Sequence, residues 1–195
     1  MNARSLLGVA FLAVAAFVPA RAADIAQPVM LIAAPQLNDP VYGRSVLLVA
    51  PIGEDRHIGF IINRPTGKRL GQLFPEHGPS QKIAGPVFFG GPIDRDMLFA
   101  IVERADSPGG ISLQLGTELF SSFDGATVDR IIEAEPEHAR FYTGLVAWRS
   151  GELAQEINRG LWYLAKPDAA VVLRKSTQGL WEEMLTRSQN AANMI

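Results

Sequence analysis

Residues 139–148 read ARFYTGLVAW, the longest stretch of the chain with the composition of a β-strand. Aromatic and β-branched side chains favour strands because they pack well on a pleated surface. The stretch therefore predicts a strand over Ala139–Trp148, around which the rest of the domain has to pack.

Shorter apolar runs before this stretch predict further strands. Each run is bounded by proline, glycine, asparagine or aspartate, the residues that end strands and begin turns. Two of the runs are joined by a short polar loop, which suggests a hairpin. The strands predicted upstream of residue 139 cover residues 28–35, 45–50, 57–63, 87–89, 97–103 and 111–115.

Helical spacing is confined to a few segments. Asp124 is a good N-cap for a helix over residues 126–134, which places Val128, Ile131 and Ile132 on one buried face. The strands outnumber the helices, and no serine- or glycine-rich linker divides the chain. We therefore expect one layered α/β or α+β domain with a mixed sheet. The other predicted elements are short helix 67–74, helix 151–164, strand 171–173, a last helix from Thr177 and a frayed tail over 188–195.

The first 22 residues have the order of a secretory signal peptide. A positively charged start precedes an apolar run over residues 6–18, and Ala20-Arg21-Ala22 supplies the small residues of a cleavage site. The run is shorter than the ~20 residues of a membrane-spanning helix. We expect cleavage after Ala22 and export to the periplasm. The alternatives are a retained anchor, or a start codon placed too far upstream and a cytoplasmic protein.

The charge and the absence of cysteine argue against several classes of protein and of functional site. The formal net charge is −2. Removing residues 1–22 takes away two arginines and no acidic residue, so the net charge of the mature chain becomes −4. A nucleic-acid-binding protein usually carries a clear basic excess, so nucleic acid is not an expected partner. The absence of cysteine excludes disulfides, thiolate metal sites and a cysteine nucleophile. No second long apolar run occurs, so we expect no membrane span in the mature chain.

Catalytic and cofactor motifs are also missing. The chain has no G-x-S-x-G, no P-loop and no G-x-G-x-x-G. His57, His77 and His138 lack the spacing of a helical zinc site. We therefore expect no metal and no cofactor, and the sequence favours a protein that is not an enzyme.

Polar residues at the ends of predicted strands are the candidates for a binding site. Arginine, asparagine and tryptophan side chains there can line a pocket for an anionic ligand. Backbone N–H groups at Gly90-Gly91 can form an anion nest. The alternatives are caps and turn hydrogen bonds for the side chains and a tight turn for the glycines. The candidate ligand-binding residues are Asn38, Asp39, Arg44, Asn63, Arg64, Gly90, Gly91 and Trp148.

Five segments, taken in order, resemble the YqgE/AlgH family. They are APQLNDPVYGRSV at 34–46, GFIINRP at 59–65, FGGPI at 89–93, SSFD at 121–124 and GLVAW with the following GEL and EI at 144–157. The resemblance runs from about Val29 to Arg187, almost the whole mature chain. The sequence departs from the family pattern at Phe123, Leu145 and Glu152, and in its apparent signal peptide.

The resemblance implies one α/β domain, assigned to residues 23–187, with a sheet or barrel-like core and flanking helices. It implies no established enzyme. We expect a non-enzymatic binding or regulatory domain, with a small anionic ligand or a protein as partner. The alternatives are a binder of small anions, or an uncharacterised enzyme, with a pocket at the strand ends. The family is often described as a transcriptional regulator, but the acidic chain and the lack of a helix-turn-helix pattern give that function little support.

Overall fold

A computed structural model describes residues 25–192 of the protein. The predicted signal peptide at 1–22 lies outside the described residues. The strands are β1 Val29–Ala33, β2 Val46–Pro51, β3 His57–Ile61, β4 Pro65–Arg69, β5 Pro86–Phe89, β6 Ile93–Glu103, β7 Ser112–Gln114, β8 Leu119–Ser122, β9 Ala139–Trp148 and β10 Trp162–Ala165. The helices are α1 Leu70–Leu73, α2 Gly78–Gln81, α3 Gly125–Ala134, α4 Glu152–Asn158, α5 Ala169–Val172 and α6 Leu180–Ala192.

Strand β9 has the bounds that the sequence predicted and is the centre of the sheet. Its first half pairs antiparallel with β6 and parallel with β5. Its second half pairs antiparallel with β3. The main strand order is β10-β1-β2-β3-β9-β6-β8-β7, and β4 pairs with β5 beside it. This mixed sheet curls into a half-barrel, and the predicted α/β domain with a barrel-like core and flanking helices is confirmed.

The curled sheet has apolar side chains on both faces, which explains why β1 and β2 are continuous apolar runs rather than alternating ones. One face of the sheet holds the largest core, which α5 and α6 cover. One part of the opposite face is covered by α4 and the loop after β1, and another part by α1 and α3. Representative side chains of the three cores are Phe60, Phe99 and Tyr142; Leu31, Val146 and Leu153; and Val102, Val128 and Ile131.

The predicted helix over residues 151–164 is wrong in its second half. Gly160 adopts φ +71°, a left-handed conformation that ends helices and suits glycine. After it, Trp162–Ala165 forms strand β10 and pairs with β1. The apolar residues there belong to a strand at the edge of the sheet. A short apolar run by itself does not distinguish a strand from a helix.

Three smaller predictions also differ from the structure. The predicted strand at 171–173 lies in helix α5, because the Asp168 carboxylate caps it by accepting the N–H of Ala170 at 2.9 Å. The segment 67–74 is part strand and part helix. Helix α6 continues to Ala192, where the sequence predicted fraying from residue 188. The sequence also missed strand β8.

Across residues 25–192, no helix combines the length and the apolar character that crossing a membrane requires.

Candidate functional site

The loop from Asn38 to Arg44 contains three of the predicted binding residues, and its own contacts hold it. The Asp39 carboxylate accepts the backbone N–H groups of Val41 and Tyr42 at 2.7 and 2.8 Å. Aspartate commonly stabilises turns in this way. Burial raises the pKa of Tyr42, with smaller contributions from Asp39 and Glu156. Asn38 is exposed.

Asn63 and Arg64, which follow β3, bind this loop and the start of β2. The Asn63 amide accepts the N–H of Val46 at 2.9 Å and donates to the Arg44 carbonyl at 3.0 Å. Arg64 donates to the carbonyls of Pro40 and Gly43 at 3.2 and 2.8 Å. We call Asn63 and Arg64 the loop clamp.

Arg64 of the loop clamp and Arg44 of the loop both interact with other groups of the protein. Burial lowers the pKa of Arg64, and nearby Asp39 offsets part of that effect. Arg44 pairs with Glu182 of α6 and lies 4.5 Å from the centre of the Trp181 ring. These arginines fix the loop and attach it to α6, so the caps and turn hydrogen bonds considered from the sequence describe them well.

Gly90 and Gly91 lie where β9 changes partners, and the backbone there is packed against backbone. A Cβ atom on Gly90 would lie 2.2 Å from the Gly144 carbonyl oxygen, and one on Gly91 would lie 2.2 Å from that of Leu145. The Gly90 N–H donates to the Thr143 carbonyl at 2.9 Å. We call Gly90, Gly91 and Gly144 the glycine crossing. Its close approach, rather than an anion nest, explains the two neighbouring glycines.

Trp148 lies at the other end of β3 from the loop clamp, opposite His57. Its indole N–H donates to the Glu156 carboxylate at 3.0 Å, and Trp162 donates to the same oxygen at 2.8 Å. The structure therefore divides the predicted site residues among the loop with its clamp, the glycine crossing and this tryptophan pair. They do not line one pocket.

A different cavity has the properties of a binding site. It measures about 590 Å³ and lies where β9 begins, between the segment before β5 and the segment that joins α5 to α6. A smaller cavity of about 310 Å³ shares Pro86, Phe88 and Lys175 with it. We call the two cavities together the basic groove. The larger cavity is lined by Lys82, Ile83, Ala84, Gly85, Pro86, Phe88, Pro136, Glu137, Ala139, Arg140, Phe141, Leu173 and Lys175.

Arg140 is the unusual residue of the basic groove, because its side chain is charged and the residue is only 6% exposed. It donates to the carbonyls of Ile62 and Arg174. Its guanidinium carbon lies 4.3 Å from the centre of the Phe88 ring. Within residues 25–192 it has no ion pair with a carboxylate. Burying a charge costs several kcal/mol, and carbonyls and a ring offset that cost less well than a counter-ion.

Tyr142 lies two residues along the same strand and is fully buried. Its hydroxyl lies beside the Arg140 side chain, whose charge and hydrogen bonding favour the ionised phenol, although the contact falls outside ordinary hydrogen-bond geometry. Burial raises the pKa of Tyr142 to about 12, although Arg140 acts in the opposite direction. Arg140 is thus the charged group of this region whose N–H donors the described residues do not all occupy.

Sequence reasoning named one residue that lines the basic groove, Asn63 in the smaller cavity. It missed Lys82, Arg140 and Lys175. One pattern pointed to Arg140: it is the single charged residue in the stretch ARFYTGLVAW. A charge inside a buried strand is rare unless it has a specific role.

The histidines do not come together. His57 is buried and bonds to the Ile25 carbonyl at 2.9 Å, and His77 bonds to the Ser80 hydroxyl at 2.7 Å. His138 is exposed. No cluster of three or more metal-ligating side chains occurs in the described part of the chain.

The profile of the AlgH-like family matches residues 30–192. The chain belongs to the AlgH-like family. A UPF0301 protein of Bacteroides fragilis is 32% identical over 158 residues, which cover 80% of this chain and 79% of that protein. A UPF0301 protein of Streptomyces avermitilis is 30% identical over 173 residues, covering 85% and 88%. The biochemical function of the family is uncharacterised.

Two solved structures resemble this AlgH-like chain. The solution structure of the AlgH protein from Pseudomonas aeruginosa matches with a TM-score of 0.65 and 27% identity, covering 82% of this chain and 85% of that one. The crystal structure of protein DIP2367 from Corynebacterium diphtheriae matches with a TM-score of 0.67 at 23% identity, covering 83% and 86%, and shows the fold alone.

Proposed function

We propose that this AlgH-like protein is a non-enzymatic binding domain whose basic groove takes a small anionic ligand. The observation that carries the proposal is the buried Arg140 without a carboxylate partner among the described residues. An anion in the groove supplies the missing counter-charge, and a site of low dielectric strengthens the pair.

The surrounding charges support the same ligand class. Lys82 and Lys175 line the groove on two different segments, whereas Glu137 is its one acidic lining residue. The groove is therefore locally basic in a chain whose net charge is −2. Three cations in one concavity are too few for the phosphate tracking of a DNA-binding surface, so a transcriptional regulator is the least favoured function.

An NMR titration tests the proposal. Sodium acetate and sodium phosphate, each at millimolar concentration and constant ionic strength, are expected to shift the amide signals of Arg140, Lys175 and their neighbours saturably. The Arg140→Met variant is expected to lose these shifts. Arg130→Met is the matched control, because Arg130 is exposed on α3 and bonds to Thr127 and Pro108 instead. Equal shifts in both variants, or none in the native protein, would overturn the proposal.

We also propose that the domain acts after export, which rests on the signal-peptide pattern of residues 1–22. Fractionation and N-terminal sequencing of the native protein test this. A periplasmic protein beginning near Ala23 is expected, and a cytoplasmic protein with an intact Met1 would contradict export.

A further inference from the structure

Building on the proposed anion site, we infer that the ligand is an amphipathic carboxylate. Its charged head lies at Arg140 and Lys175, and its apolar body lies along the walls of the basic groove. The inference rests on the composition of the walls, the unfilled capacity of Arg140 and the continuity of the two cavities.

The walls of the larger cavity are mostly apolar. They include Ile83, Pro86, Phe88, Phe141 and Leu173. A small inorganic anion covers none of this surface. A ligand with an apolar body removes it from water, which contributes about 0.8 kcal/mol for each buried methylene, or close to a fourfold gain in affinity.

The head group follows from the bonds that Arg140 already makes. Its two terminal nitrogens donate to the Ile62 and Arg174 carbonyls, and one face of the guanidinium covers Phe88. Three of the five N–H donors of the guanidinium remain, and Glu137, which also lines the cavity, opposes a multiply charged group. A planar, singly charged carboxylate suits this remaining capacity better than a phosphate or a polyphosphate.

The two cavities set the shape of the body. Because they share Pro86, Phe88 and Lys175, one ligand can extend from the larger cavity into the smaller. The smaller cavity is bounded by the segment 175–178 that precedes α6 and by Asn63. An extended alkyl or aryl chain fits this continuous path better than a compact sugar.

Isothermal titration calorimetry with a chain-length series tests the inference. Acetate, hexanoate and decanoate are titrated into the full protein below their micelle concentrations, with decanol and decyl phosphate as comparisons. We expect each added methylene to tighten binding about fourfold. We expect decanoate to bind at least tenfold tighter than either decanol or decyl phosphate.

Variants separate the head from the body. Lys175→Met changes an exposed residue and is expected to weaken decanoate binding severalfold without affecting folding. Leu173→Ala is expected to flatten the dependence on chain length. Lys68→Met, an exposed lysine on β4 outside the groove, is the control.

The outcomes distinguish this inference from the proposed function. If acetate, phosphate and decanoate bind equally and all depend on Arg140, the anion site stands and the amphipathic ligand is wrong. If decyl phosphate binds as tightly as decanoate, the carboxylate assignment is wrong. If none of the anions binds, both the site and the inference fail.

Discussion

Two regions of the molecule can be compared. The first is the loop clamp together with the glycine crossing, and the second is the basic groove. Both contain polar side chains or glycines, but they differ in whether the protein itself satisfies their hydrogen bonds. In the first region the polar groups of Asn63, Arg64 and Gly90 are used by the protein itself. In the groove, Arg140 lacks a carboxylate partner within the described residues, and Tyr142, buried two residues along the same strand, makes no hydrogen bond of ordinary geometry there. Motif residues with satisfied bonds build the fold, whereas buried groups with unfilled capacity indicate a site.

The largest loss of stability is expected from a substitution at the glycine crossing. In Gly91→Ala the new Cβ would lie 2.2 Å from the Leu145 carbonyl oxygen. Backbone cannot move aside as a side chain can, so we expect the free energy of unfolding to fall by about 3 kcal/mol or more. Urea unfolding measures this. Gly125→Ala is the control, since a Cβ there meets nothing within 4 Å, and a similar loss in both variants would contradict the account.

The loop clamp is tested by Asn63→Ala. The change leaves the Val46 N–H and the Arg44 carbonyl without their partner. Leaving such groups unpaired costs about 1–3 kcal/mol, which urea unfolding again resolves. Asn38→Ala, on the exposed side of the same loop, is expected to change stability by less than 0.5 kcal/mol, roughly the effect of an ordinary surface substitution. Equal effects at the two asparagines would show that the clamp contributes nothing.

Tyr142→Phe tests the buried hydroxyl beside Arg140. Removing a buried hydroxyl that makes no hydrogen bond of ordinary geometry is expected to raise stability by up to about 1 kcal/mol near neutral pH. The pKa of Tyr142 is raised from 10.0 to about 12, so the unfolded chain loses this proton at lower pH than the folded one. Between these pH values the native protein should therefore lose stability relative to the variant, by at most about 1.4 kcal/mol per pH unit.

Denaturant unfolding of both proteins from neutral to alkaline pH measures that difference. A native protein that gained stability relative to Tyr142→Phe as the pH rose would contradict the buried, unbonded hydroxyl.

The smallest effect is expected at Arg44→Ala. The ion pair with Glu182 is exposed on both sides, and such pairs contribute about 0.2–1 kcal/mol. The loss should shrink as salt is added, because salt screens exposed charges. A loss of several kcal/mol that salt did not affect would show that Arg44 has a structural role beyond this pair.

The sequence predicted the strands of the core well and the candidate site poorly. Runs such as ARFYTGLVAW identify strands locally, because strand composition depends on near neighbours. Strand β10 was missed because its partner β1 is over 125 residues away in the chain and its own spacing also suits a helix. The groove was missed because its lining comes from four separate segments, and only Asn63 was among the candidates.

By itself, the sequence determined the family, the α/β class, the central strand and the N-cap at Asp124, whose carboxylate accepts the Thr127 N–H at 3.0 Å. These four features follow from the composition of short segments and from the order of the family motifs along the chain. Only the tertiary structure decided that Asn63 and Arg64 hold a loop, that Gly90 and Gly91 admit a close backbone approach, and that Arg140 is buried without a counter-ion in the described chain. The physical reason is that burial and bonding depend on which distant segments meet, and a residue type alone does not specify them.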